Sequence, residues 1–233
     1  MNNNNHRALV INLFGGPGSG KSTAAAYVFS KLKMLGINVE LVTEAAKDYI
    51  WEESFNNLKD QIYVFGEQQH RILRCASKVD VIITDSPIFL SPFYNNDSDI
   101  DENLWKLALD LTKKFPTKNY LMLRTCAYDQ VGRKESEAES SELTNKIIDK
   151  LNETNQSYIT VGANESGYEF LLKDVITAIS DTYPHLTPIC DLYLKPKCGR
   201  CKHKSVCENV LTQLRCLEYG ECYSYSLDTS KLN

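Results

Sequence analysis

Residues 14 to 23 read Phe14-Gly15-Gly16-Pro17-Gly18-Ser19-Gly20-Lys21-Ser22-Thr23, a complete G-x-x-x-x-G-K-[ST] spacing. Between Gly15 and Gly20 the backbone can wrap closely around phosphate oxygens with its N–H groups turned inward, a path that a glycine-rich loop takes without steric conflict. Lys21 then reaches the β- and γ-phosphates, and the Ser22 hydroxyl is placed to ligate Mg²⁺. A helix beginning at this point adds its positive N-terminal dipole to the anion site. The pattern therefore predicts a nucleoside triphosphate site for ATP and Mg²⁺, built from Gly15, Gly16, Pro17, Gly18, Ser19, Gly20, Lys21, Ser22 and Thr23.

Three further residues could complete a phosphoryl-transfer site. Val79-Asp80-Val81-Ile82-Ile83-Thr84-Asp85 is an apolar strand ending in an acid, so Asp85 is expected to hold Mg²⁺ beside Ser22. Ser86-Pro87 follows, in place of the second acid that polarises a water in hydrolytic ATPases, and no Asn-Lys-x-Asp guanine-reading motif occurs. Both features favour transfer to an acceptor over hydrolysis. Glu44 follows a second strand, where a carboxylate can take the proton of an attacking hydroxyl; Asp48, one helical turn on, is the reserve candidate, and Glu44 could equally be the acid that opens a helix. Arg124, after a fourth strand, and Arg133, in the polar segment 128–134, are candidates for a lid near 124–142 that neutralises charge on the transferring group. A solvated surface turn is the plainer reading of both arginines.

These residues need a scaffold, and the apolar pattern supplies one. Short apolar runs at 8–14, 38–42, 79–84, 119–123 and 158–161 alternate with helix-period segments at 22–35, 59–76, 102–114, 139–151 and 168–180. That alternation predicts βαβ units: an α/β P-loop kinase-type parallel sheet flanked by helices. The chain has 233 residues, 42% hydrophobic and 24% charged, enough for one full core with a small appendage. The expected organisation is a polar lead over 1–7 without ordered structure, a nucleotide domain over 8–185 and a Cys-rich tail over 186–233. No apolar run approaches a membrane span and the lead has no signal-like apolar region, so the expected location is the cytoplasm. Cys75 and Cys126, inside the domain, read as small buried apolar residues.

Residues 15–23, Val42-Thr43-Glu44-Ala45-Ala46-Lys47-Asp48, Gln61-Ile62-Tyr63-Val64-Phe65-Gly66-Glu67-Gln68-Gln69 and residues 81–87 together resemble a bacteriophage P-loop kinase family. It is related to nucleoside, nucleotide and ribosylnicotinamide kinases, and includes 5-hydroxymethyluracil DNA kinases. The resemblance covers roughly residues 8 to 180. It implies an ATP-dependent kinase acting on the 5-hydroxymethyl group of a pyrimidine in phage DNA, with Gln68 or Gln69 bonding the acceptor base. A small-molecule nucleoside or ribosylnicotinamide kinase and a non-enzymatic ATP-binding regulatory module are the alternatives. Asp85-Ser86 replaces the Asp-Arg pair of many nucleotide kinases, which argues against an ordinary nucleoside-monophosphate kinase.

Cys190, Cys198, Cys201, Cys207, Cys216 and Cys222 put six of the eight cysteines into the tail. The C-x2-C-x5-C core predicts a metal knuckle, with Cys198, Cys201, Cys207 and Cys216 as a candidate Zn²⁺ set and His203 as a possible replacement ligand. The spacing also resembles iron–sulfur segments of some nucleases and oxidoreductases, and chance clustering of reduced thiols is the third reading. Lys195, Lys197, Arg200, Lys202 and Lys204 lie among these cysteines with no acid between them. Such a knuckle suits a DNA backbone; the plainer reading is a solvated basic loop.

Overall fold

The computed structural model describes residues 7–129 and 136–194. Five strands, β1 (Leu9–Phe14), β2 (Val39–Val42), β3 (Val81–Thr84), β4 (Thr117–Leu123) and β5 (Ile159–Gly162), form one parallel sheet in the order β2-β3-β1-β4-β5. The central strand reads LVINLF and is buried along its whole length, as expected where helices cover both faces of a parallel sheet. Leu9 lies beside Val81 and Val10 beside Thr117, which sets β1 between β3 and β4. Asn12, the polar residue of that run, donates to the Asn119 side chain at 2.9 Å, and Asn119 in turn donates to the Ser157 carbonyl at 3.0 Å. The buried amides thereby satisfy each other across two strands.

The helices segregate by face, as right-handed crossovers require. On one side, Leu9, Ile11 and Leu13 pack with Ala24, Val28 and Leu32 of α1 (Lys21–Met34) and with Leu172, Val175 and Ile179 of α7 (Glu165–Thr182). On the other side Val10 meets Ile72 of α4 (Gln61–Leu73), and α5 (Asp101–Thr112) encloses Phe65 and Ile88 through Leu104, Ala108 and Leu111. Phe14 meets Ile147 and Leu151 of α6 (Glu137–Glu153). The five predicted strands and five predicted helices are all present, within a few residues of their expected ends.

Two short helices, α2 (Ala45–Trp51) and α3 (Phe55–Lys59), fill the stretch before α4. Glu53 breaks between them with φ 54, and the Ser54 amide donates back to the Tyr49 carbonyl at 2.8 Å. A five-residue helix is too short to print a 3.6-residue period, so the sequence reads there as loop.

Beyond α7, α8 (Thr187–Leu194) packs back on the core and buries Cys190 completely. Cys190, grouped with the tail by sequence spacing, is thus a core residue of this helix. Tyr27 of α1 and Tyr193 of α8 both donate to Glu169 of α7, the latter at 3.0 Å, tying three helices at one carboxylate. Cys75 is buried as expected. Cys126 is not: it is exposed, because it lies past Leu123, where β4 has already ended.

Candidate nucleotide and phosphoryl-transfer site

β1 delivers the chain to the loop, and α1 carries it away, so the loop sits at the carboxyl end of the central strand. Gly20 occupies the N-cap of α1 with φ 88, and a Cβ there would stand 2.6 Å from the Cβ of Ala163. Glycine is therefore required both by the left-handed turn and by the neighbouring β5–α7 connection. Lys21 folds its ammonium back across the loop, donating to the carbonyls of Gly15 at 2.7 Å and Gly16 at 2.9 Å. These bonds hold the cation against the backbone of the loop.

Because β3 lies directly beside β1, Asp85 comes to the first turn of α1. Ser22 Oγ donates to Asp85 Oδ2 at 2.5 Å, and Asp85 is only 6% exposed. Its other oxygen, Oδ1, is buried without a hydrogen-bond partner. A buried orphan carboxylate oxygen beside a hydroxyl is costly unless a cation completes it, and this all-oxygen donor pair suits Mg²⁺. The two sequence-predicted magnesium residues are thus in contact although 63 positions separate them.

Glu44 stands at the N-cap of α2 with extended backbone, φ −62 and ψ 122, and its carboxylate makes no capping bond to the first turn. The turn that carries it is fixed from below. Gln68, 2% exposed, accepts from the Ala45 amide at 2.8 Å and donates to the Thr43 carbonyl at 3.4 Å. Gln68 therefore holds backbone on both sides of Glu44. Gln69 instead lines a cavity of about 20 Å³ with Val10, Asn12 and Ile72, inside the domain. Asp48 accepts from Arg71 at 2.6 Å, and Arg71 also bonds Glu67 at 3.0 Å. Burial alone would lower the Arg71 pKa, but the two carboxylates outweigh it and raise it. Asp48 is thus committed to an ion pair.

Arg124, one residue past β4, lies with its guanidinium 4.7 Å from the Tyr128 ring centroid and 3.5 Å from Glu137. Arg133 lies outside the described residues, as do Cys198, Cys201, Cys207, Cys216, His203 and the basic run 195–204. Among the described residues no cluster of three or more His, Cys, Asp or Glu could hold a metal, and no helix is long and apolar enough to cross a membrane.

Several contacts around the loop carried no sequence signal. Thr125 Oγ1 donates to the Ala163 carbonyl at 2.7 Å, and the Ala163 amide donates to the Leu123 carbonyl at 2.8 Å. These bonds lock the turn that abuts Gly20. Ser140 and Thr144 of α6 bond the loop at Pro17 and Gly16.

Residues 10–166 match a family profile described as an AAA domain. The chain belongs to this AAA-domain family. The matched stretch of this AAA domain starts within β1 and ends in the first turn of α7, so it includes Lys21, Glu44 and Asp85. No curated protein matches by sequence. Among solved structures the chain is similar to thymidylate kinase from Candida albicans, at 14% identity over 77% of this chain and 94% of that one, with a TM-score of 0.43. The architecture, a five-stranded parallel sheet flanked by helices with the phosphate loop after its central strand, is that of a P-loop fold.

Proposed function

We propose that this chain is a phosphotransferase that moves the γ-phosphoryl group of ATP to a hydroxyl. The observation that carries this reading is the Ser22–Asp85 contact at 2.5 Å with Asp85 Oδ1 left unpartnered, directly beside the Lys21 loop. Ser22 and Asp85 would hold Mg²⁺, which when bound would supply charge neutralisation for the β- and γ-phosphate oxygens. Lys21 draws the same oxygens toward the loop, so its ammonium follows the charge that grows as the bond to the leaving phosphate lengthens. Glu44, held at the end of β2 by Gln68, accepts the acceptor's proton as its oxygen attacks phosphorus. Arg133 closes over the phosphates and limits access of water. The absence of an acid after Asp85 supports transfer over hydrolysis.

For the acceptor, the sequence resemblance supports the 5-hydroxymethyl group of a pyrimidine in DNA. The tail's basic residues and its Cys198, Cys201, Cys207 and Cys216 set, holding Zn²⁺ or an iron–sulfur cluster, would serve to grip the strand. Incubation with γ-labelled ATP, Mg²⁺ and hydroxymethyluracil-containing DNA is expected to leave label on the DNA. Label on a free nucleoside or ribosylnicotinamide instead would replace the DNA acceptor with a small molecule. ATP binding with no transfer to either would overturn the transferase reading.

A further inference from the structure

Helix α6 is bonded to the first half of the phosphate loop. The Gly16 amide donates to Thr144 Oγ1 at 3.1 Å, and that hydroxyl in turn donates to the Ser140 carbonyl at 2.9 Å. Ser140 Oγ then donates to the Pro17 carbonyl at 2.7 Å. Thr144 is both acceptor and donor in this chain of bonds, and Ser140, 3% exposed, donates to the loop and accepts on its carbonyl. The two side chains are four apart and so share one face of α6. A capping box at Ser136 and Glu139 fixes where that helix starts, which keeps the pair in phase with the loop.

The approach is close enough to dictate residue type. A Cβ at Gly16 would stand 2.3 Å from the Ser140 carbonyl oxygen and 2.8 Å from both hydroxyls. Gly16 thus spends its amide on Thr144, and Pro17 has no amide to give. Neither position therefore offers an amide to phosphate, and α6 bonds the backbone of the loop's first half.

We propose that Ser140 and Thr144 are positioning residues for the donor phosphates. They hold Gly16 and Pro17 so that the later amides and Lys21 Nζ, itself bonded to the Gly15 and Gly16 carbonyls, present a preformed anion site. The inference rests on the loop being the donor-phosphate site and does not depend on the acceptor.

ATP titrations by calorimetry, with Mg²⁺ and the full chain at a temperature where every variant is folded by circular dichroism, test it. Thr144→Val keeps the shape but leaves the Gly16 amide without an acceptor, and is expected to weaken ATP by about tenfold. Thr144→Ser restores the oxygen and is expected to lie within about twofold of the wild type. A Thr144→Val protein with wild-type ATP affinity, or a Thr144→Ser protein as weak as the valine variant, overturns the proposal. If Thr144→Val does not fold, Ser140→Ala gives the same reading: it frees the Pro17 carbonyl, and unchanged ATP affinity there also overturns the proposal. ATP affinity that follows this pattern in a protein that phosphorylates no acceptor sustains the clamp while the transferase reading falls.

Discussion

The two sides of the crevice are built differently. On the donor side the loop is approached by α6 and by the β5–α7 turn so closely that a Cβ would collide at Gly16 with the Ser140 carbonyl and at Gly20 with the Ala163 methyl. On the proposed acceptor side, around Glu44, the chain runs through two short helices into α4, and Trp51, Phe55 and Ile62 stand 75%, 54% and 58% exposed. Phosphate is the same in every triphosphate and can be met by fixed amides; acceptors differ, and short helices are the cheaper place to vary. Under the proposed function, the closely enclosed half would serve the donor and the more exposed half would set acceptor specificity.

The largest expected effects come from removing chemistry on each side. Lys21→Ala should lower kcat by about a thousandfold or more and weaken ATP, because it removes the charge that follows the γ-phosphoryl group. Glu44→Gln should lower kcat by about a hundredfold while ATP affinity stays at the wild-type value. Initial rates with saturating acceptor, alongside ATP titration, separate the two. Full activity in Glu44→Gln would remove Glu44 as the base, and a loss of ATP affinity there would erase the division between halves.

A second comparison concerns stability. Gly20→Ala places a methyl against Ala163 in a left-handed backbone, and should cost about 3 kcal/mol in urea unfolding from strain and overpacking together. Trp51→Ser, at the most exposed large apolar side chain of the acceptor side, should change stability by no more than about 0.5 kcal/mol. Equal losses in the two variants would mean that α2 and α3 are as tightly integrated as the loop.

The donor half was also the more legible in sequence. Its strands are continuous apolar runs, and its loop is a spacing that only one backbone path satisfies, so Lys21, Ser22 and Asp85 could be named together. Thr144 and Ser140 could not: on α6 they look like ordinary polar positions beside the Leu143–Ile147–Leu151 stripe, and their partners lie 123 to 128 residues away. The acceptor half lost detail for a local reason. α3 is shorter than two helical turns, and the buried role of Gln68 depends on where the β2–α2 backbone passes. Asp48 read as a spare base because its partner Arg71 belongs to another helix.

A loss smaller than that at Gly20 tests what holds α1, α7 and α8 together. Burial on its own pushes the Glu169 carboxyl up, but the Tyr27 and Tyr193 hydroxyls, with Lys31 and Lys173, outweigh it and the net shift is downward. A carboxyl held below its unfolded value adds stability at neutral pH, and that contribution disappears as pH falls through the lowered native value. Tyr27 moves the opposite way: burial first, then its bond to Glu169, push it from 10.0 up to about 12, so its share is full below the unfolded value and is lost as pH climbs from there through the raised one. Glu169→Gln should lower stability at neutral pH by about 1 kcal/mol, a modest figure because the carboxylate is partly exposed, and should make unfolding less sensitive to acid. Urea midpoints measured from neutral pH down through the carboxylate range check both parts. An acid limb identical to the wild type would mean that Leu172, Val175 and Cys190 hold the three helices by apolar packing alone, with the tyrosine–glutamate node contributing nothing to the donor half.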